Sequence, residues 1–108
     1  MSHPNPTISD AFQLFLKEAP GHAKAWMGAV KALDQASPLD PKTGHLAYLA
    51  VLAALGLESG VAFHADLARK AGASRDEVIG AVLIGLPAAG NQVVKSLPGA
   101  LSVFDAAS

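Results

Sequence analysis

The chain of 108 residues contains no cysteine. This absence excludes disulfides, thiolate nucleophiles, iron–sulfur clusters and cysteine-ligated zinc. Any chemistry must therefore come from histidines, carboxylates, hydroxyls or a bound cofactor. Two of the four histidines, His45 and His64, lie in otherwise apolar helical segments and are the first candidates.

An excess of charge of one sign is also missing. Eight lysines and arginines stand against nine acidic residues, for a formal net charge of −1. The basic residues are scattered singly, apart from the pair Arg69-Lys70, and form nothing that resembles a phosphate-binding surface. We therefore expect no nucleic-acid partner.

The sequence has no apolar run long enough to cross a membrane. The longest run, Leu46 to Leu57, is well short of the roughly 20 residues that span a bilayer. The first ten residues, MSHPNPTISD, lack the basic and apolar regions of a secretory signal. We expect a cytoplasmic protein that does not associate with membranes.

Apolar residues, by contrast, are abundant for so short a chain. The hydrophobic fraction is 51%, and a small domain has too much surface for its volume to hide all of that apolar area. Residues 46–55 are apolar all round the helix they would form, so protein should surround this helix on every side. The excess predicts a homo-oligomer in which subunits cover one another.

Sustained strand alternation is absent, and nearly every segment shows a helical period. The sequence predicts an all-α bundle of about six helices in a single domain over residues 1–108, with residues 1–7 as a loose arm. The helices are expected near residues 9–18, 22–36, 41–55, 60–71, 74–87 and 91–104, and Pro98-Gly99 should kink or split the last one.

Several side chains are expected in the core or at close helix contacts. Trp26, Phe12 and Phe15 stand at helical spacing and are predicted to be core aromatics. Gly80 and Gly85 lie inside the fifth helix, where glycine costs stability, so another helix should approach closely there.

His64 is predicted to point inward. With about 100° of rotation per residue, Leu57, Gly60 and His64 fall within about 40° of one another, whereas Asp66 and Lys70 point away from this line. On the preceding helix, His45 begins an apolar stripe that runs toward the same turn. The two histidines could therefore meet.

Four short motifs carry a resemblance to a known family. They are LDPKT at residues 39–43, AALG at 53–56, AFH at 62–64 and KAGASRDEV at 70–78. This arrangement, over Pro38 to Leu101, resembles the carboxymuconolactone decarboxylase and alkylhydroperoxidase D-like family. The resemblance implies a small helical bundle that assembles into homotrimers or homohexamers.

The resemblance also implies where a site would lie. The peroxidase branch has a Cys-x-x-Cys pair, a histidine after three further residues, and a glutamate twelve residues before the first cysteine. In this chain those positions are Leu57 and Gly60, then His64, and His45. Only His64 is retained, so the redox motif is degenerate and no thiol–disulfide cycle can run.

The decarboxylase branch also lacks the cysteine pair and tends to offer other polar groups at these positions, including an added histidine and glutamate. Here the matching residues are Leu57, Ser59 and Gly60.

Three functions and one structural role remain open for His64. It could be a general acid or base for a small molecule, with His45 as its polar partner and no required cofactor. The pocket would then be lined by Leu57, Gly60, Phe63 and Tyr48. Alternatively, His45 and His64 could bind a divalent metal or another ligand. The chain could also be a non-catalytic oligomeric scaffold, or His64 a core histidine bonded to a backbone carbonyl.

Overall fold

A computed structural model describes residues 9–107, so the predicted arm of residues 1–7 lies outside the described part. Within it there are eight helical segments and no strand, which confirms the predicted all-α class. Six of the helices have nine or more residues. The segments are α1 Asp10–Glu18, α2 Pro20–Ala36, α3 Pro41–Leu55, α4 Glu58–Lys70, α5 Arg75–Leu83, α6 Leu86–Ala89, α7 Asn91–Val94 and α8 Leu97–Ala107. No helix in these residues is long and apolar enough to cross a membrane.

Three prolines lie in the first turn of a helix, at positions where the sequence predicted that a helix ends or kinks. Pro20 was expected to close the first helix but stands at the start of α2. The fifth helix was expected to reach Pro87, yet α5 ends at Leu83 and Pro87 lies in the first turn of α6. The last predicted helix is split into α7 and α8, as expected, but the break lies before Leu97 and Pro98 is in the first turn of α8. Proline suits the first turn because its missing N–H would have no partner there.

The caps of α3 and α5 agree with the sequence. The Asp40 carboxylate accepts from the Thr43 backbone N–H at 3.2 Å and from its hydroxyl at 2.6 Å. The Ser74 hydroxyl accepts from the Glu77 N–H at 3.0 Å, and the Glu77 carboxylate accepts from the Ser74 N–H at 2.9 Å. These local bonds fix both helix starts without help from tertiary packing.

Gly56 ends α3 in a left-handed conformation, with φ of 74°. The Leu57 N–H, just beyond it, bonds the Leu52 carbonyl at 2.9 Å. A Cβ at this position would also collide with the side-chain amide of Gln92.

Replacing Gly56 with alanine should lower the free energy of unfolding by about 1–2 kcal/mol. Most of this cost comes from the positive φ, because the Gln92 amide can rotate away. Urea denaturation followed by circular dichroism measures the loss. The matched control is Gly80→Ala in the middle of α5, where a Cβ meets nothing within 4 Å; it should stabilise by about 0.5–1 kcal/mol. Equal effects of the two changes would contradict this assignment.

The contacts divide the chain between Leu39 and Asp40 into two compact units. In the described residues the first unit holds α1 and α2, which pack against each other, and the second holds α3 to α8. The single domain over residues 1–108 stays a prediction.

In the second unit α3 packs against α4, α5 and α7, and α4 also packs against α8. The core side chains recur at helical spacing on these helices. They comprise two leucines, four valines and five alanines: Leu49, Leu52, Val61, Val78, Val82, Val93, Ala53, Ala65, Ala68, Ala73 and Ala100. A core rich in alanine lets the helices approach closely but buries little apolar area per residue.

The prediction of core aromatics is wrong for Trp26. Trp26 is exposed and not a core residue, while Phe12 and Phe15 are half-buried with ring centroids 6.1 Å apart. One side of α3, with Tyr48 and Val51, is exposed, and the cover by another subunit that the sequence predicts for this helix stays a prediction. Helical period predicts which residues share a face, but not whether another helix lies against that face.

Candidate functional site

The turn between α3 and α4 places His64 beside the preceding helix. Only Gly56 and Leu57 separate the two helices, so they pack side by side. His64 lies about two turns into α4 and is half-buried. The position of His64 is therefore set by the glycine that ends α3 and by the start of α4 directly after the turn. This start, at Glu58, is two residues earlier than predicted.

Two aromatic rings contact the His64 imidazole. The Tyr48 ring, from α3, lies with its centroid 4.6 Å from that of His64 at an interplanar angle of 54°. The Phe63 ring, from the preceding residue, meets it edge to face at 5.2 Å and 86°. Tilted and edge-to-face arrangements are the favourable ones for aromatic rings. The structure thus brings two predicted lining residues, Tyr48 and Phe63, to the imidazole.

Gly60 leaves space beside the same ring. A Cβ at Gly60 would lie 3.9 Å from Cδ2 of His64 and 3.8 Å from Cδ1 of Leu52. Leu52 was not among the predicted lining residues, although it shares the apolar stripe of α3 that begins at His45. Leu57, the other predicted lining residue, is the N-cap residue of α4, and its side chain is half-exposed.

The environment of His64 favours the uncharged imidazole. Burial lowers its pKa below the usual value of 6.5, and the positive charge of His45 lowers it further. No hydrogen bond to the His64 side chain occurs within residues 9–107, so its ring nitrogens have no protein partner there. The imidazole is therefore available as a base.

No carboxylate of residues 9–107 is among the groups that shift the pKa of His64. Asp66, on the outer side of α4 as predicted, pairs with Arg69 at 2.8 Å and Lys70 at 3.2 Å. The hydrogen bond from Arg69 is the first of the causes that lower the Asp66 pKa. Within the described residues, no cluster of three or more His, Asp or Glu side chains could hold a metal ion.

The lowered pKa of His64 predicts a pH dependence of stability. The unfolded chain binds this proton more tightly than the folded chain, so the contribution of His64 is constant above about pH 6.5. As the pH falls below 6.5 toward the folded-state pKa, the free energy of unfolding should decrease. In an NMR titration of the wild type, the His64 imidazole resonance, identified by its absence from the spectrum of His64→Gln, should have a midpoint below pH 6.5. Between pH 7 and pH 5, the free energy of unfolding of His64→Gln should decrease less than that of the wild type. A midpoint above 6.5 would contradict the described environment.

Two surface cavities lie away from His64. One, of about 580 Å³, is lined in the first unit by Phe12, Phe15, His22, Ala25 and Trp26. The other, of about 350 Å³, lies between α3 and α5 in the second unit. Neither is lined by His64 or by the predicted pocket residues.

Comparison with known proteins gives one result on the family. A family model described as the carboxymuconolactone decarboxylase family matches residues 20–101. The match covers α2 as well, and so extends beyond the resemblance seen from Pro38 to Leu101. No curated protein and no solved structure matches the chain. Since the family model covers most of the chain, including both histidines of the candidate site, the chain belongs to the carboxymuconolactone decarboxylase family.

Proposed function

We propose that His64 is a general acid and base for a small carboxylic acid, in a reaction that needs no cysteine. One observation carries the proposal: a half-buried imidazole with a lowered pKa, flanked by two aromatic rings and without a hydrogen bond in the described chain. A neutral imidazole near pH 7 can accept a proton and return it within one turnover. His45 is proposed as a second residue of the site that acts through the pKa of His64.

The chemistry follows from the family name and from the groups present. In a decarboxylation, the carbon–carbon bond to the carboxylate breaks, carbon dioxide leaves, and the carbon that keeps the electron pair must be protonated. In a proton transfer, a base removes a proton next to a carbonyl and an acid returns it elsewhere. Both reactions need one group that exchanges protons near neutral pH. The aromatic rings would contact the apolar part of the substrate and exclude water.

The test uses carboxymuconolactone, the compound in the family's name, together with a panel of small carboxylic acids. Release of carbon dioxide and incorporation of deuterium from heavy water are followed by NMR. We expect turnover of at least one compound, and a shift of the His64 imidazole resonance when that compound binds. If no compound is converted and none shifts this resonance, the proposal is wrong and a non-catalytic scaffold explains the chain better.

A metal or ligand site at His45 and His64 is a second candidate, because the charge of His45 contributes to the lowered pKa of His64. Two histidines leave the remaining ligand positions to water or to another subunit. Elemental analysis of protein purified without an affinity tag tests the metal form. Close to one equivalent of a divalent metal, lost in His45→Gln, would support it, and a content below about a tenth of an equivalent would exclude it.

A further inference from the structure

Tyr48, the single tyrosine of the chain, has a hydroxyl group without a role in the described structure. Within residues 9–107 this hydroxyl makes no hydrogen bond, and the residue is 48% exposed. A tyrosine that serves only packing is usually buried, with its hydroxyl bonded to a protein partner. The Tyr48 hydroxyl is therefore free to donate a hydrogen bond to a molecule from solution.

The ring contact keeps this hydroxyl close to His64. Both residues belong to the second unit, Tyr48 on α3 and His64 on α4. Their ring centroids are 4.6 Å apart, so the phenol oxygen and the imidazole nitrogens all lie within the length of one small molecule. A substrate that reaches the imidazole can therefore contact the Tyr48 hydroxyl as well.

The other groups beside His64 offer no donor of this kind. Gly60 has no side chain, and Phe63 contributes an aromatic ring. After burial, the charge of His45 is the only cause of the lowered His64 pKa, so no lysine or arginine of residues 9–107 acts on the imidazole. Of the two side chains in ring contact with His64, only Tyr48 can donate a hydrogen bond through a hydroxyl.

The two reactions proposed for His64 share one chemical need. When carbon dioxide leaves, or when a base removes a proton next to a carbonyl group, an electron pair is left on carbon. A neighbouring carbonyl group takes up this pair, and its oxygen then carries the negative charge of an enolate. His64 exchanges the proton and does not neutralise this oxygen. Enzymes stabilise such a charge with a fixed hydrogen-bond donor, and tyrosine hydroxyls are among the donors used.

We propose that the Tyr48 hydroxyl donates a hydrogen bond to the enolate oxygen that forms during the reaction. The substrate is then a small acid or lactone that has a carbonyl group beside the reacting carbon. This inference rests on the proposed function of His64 and specifies its substrate class. An acid without such a carbonyl group would keep the electron pair on carbon alone and should not be converted.

Each step is balanced in protons and electrons. In the proton-transfer form, neutral His64 removes a proton from the carbon between a carbonyl group and a carbon–carbon double bond. The C–H pair forms a new double bond to the carbonyl carbon, and the carbonyl π pair moves to the oxygen bonded by Tyr48. The imidazolium returns the proton to the far end of the original double bond, and the carbonyl group re-forms. In a decarboxylation the pair comes from the bond to carbon dioxide, and protonated His64 supplies the proton.

Two substitutions of Tyr48 form the first test. Tyr48→Phe removes the hydroxyl and keeps the ring against His64, so kcat for the converted compound should fall by about 10²-fold. The midpoint of the His64 imidazole in an NMR titration should stay at its wild-type value, because the aromatic cover is kept. Tyr48→Leu removes ring and hydroxyl and should be at least as slow. Full turnover in Tyr48→Phe with loss in Tyr48→Leu would mean that only ring packing matters and would overturn the proposal.

Binding of an enolate mimic tests the donor without turnover. The probe is 4-nitrophenolate, which is planar and carries a negative charge on one oxygen. We expect it to bind the wild type and to bind Tyr48→Phe at least about tenfold more weakly, the usual effect of losing a hydrogen bond to a charged group. Equal affinities, or no binding to the wild type, would overturn the proposal.

The single tyrosine gives a direct readout of this contact. Growth on 3-fluorotyrosine labels Tyr48 alone, so one fluorine resonance reports on the phenol. This resonance should move when 4-nitrophenolate binds. A resonance that stays in place while the mimic is bound would show that the mimic contacts another part of the protein, which contradicts the assignment.

A pair of variants separates this inference from the proposed function of His64. Loss of turnover in His64→Gln together with full turnover in Tyr48→Phe would leave the function of His64 standing and overturn the role of Tyr48. Binding of the mimic through Tyr48 without conversion of any compound would support the donor and contradict the reaction. The control is Ser102→Ala, which removes a hydroxyl on α8 that donates to the Gly99 carbonyl at 2.7 Å. It should change neither the rate nor the affinity, and an equal loss there would count against Tyr48.

Discussion

Replacing His64 with glutamine is expected to lower kcat/KM for the converted compound by about 10²–10⁴-fold, the usual contribution of a general acid or base. Glutamine keeps a similar size and can form hydrogen bonds, but it cannot exchange a proton near neutral pH. Steady-state kinetics measures the loss, and circular dichroism checks that the fold is kept. His22→Gln makes the same change on α2 and should leave the rate unaltered. Unchanged turnover in His64→Gln would exclude an acid–base role for this residue.

The pH profile distinguishes the role of His45 from that of His64. The charge of His45 is the second cause, after burial, of the lowered pKa of His64. His45→Gln removes that charge, so the pKa of His64 should rise and the acidic limb of the rate profile should move to higher pH. A merely structural effect of the substitution would lower the rate without moving this limb.

Replacing Leu49 with alanine is expected to lower the free energy of unfolding by about 2–5 kcal/mol. Leu49 is fully buried, and Leu52 is the only other leucine among the buried residues of the described core. The other buried residues of this core are mostly alanines and valines, which cannot extend to fill the cavity left behind, so a value in the upper half of the range is expected. Urea denaturation at one fixed protein concentration measures the change.

The control for Leu49 is Leu55→Ala, the same substitution on the same helix. Leu55 is exposed, so its truncation removes little buried area and should cost less than about 1 kcal/mol. Similar losses in the two variants would mean that the core does not lie on the side of α3 that carries Leu49, Leu52 and Ala53.

The sequence predicted the starts of α3 and α5 well and the positions of prolines relative to helix ends poorly. Asp40 and Ser74 were recognised as caps because the bonds they make reach only three residues along the chain. Pro20 and Pro87 were misjudged because proline is compatible both with the end of one helix and with the first turn of the next. Which of the two occurs depends on whether the following residues pack as a helix against the rest of the protein. Short-range sequence patterns carry no information on that packing.

The candidate site was predictable in part. Helical spacing predicted that His64 points inward, and the resemblance selected the same residue. Tyr48 was predicted as a residue that lines the pocket, but its tilted ring contact with His64 depends on how α3 and α4 are aligned across the turn at Gly56. The space at Gly60 has the same origin, since its neighbours Leu52 and His64 come from two helices.

The sequence by itself determined the all-α class, the caps at Asp40 and Ser74, the family, and the absence of any thiol chemistry. These features depend on composition, on a period of 3.6 residues and on contacts between near neighbours in the chain. Only the tertiary structure decided that aromatic rings frame His64, that Gly80 borders an open groove, and that Trp26 and Leu33 stay exposed. The physical reason is that burial depends on which helix lies opposite a face, and that arrangement is set by the packing of all the helices together.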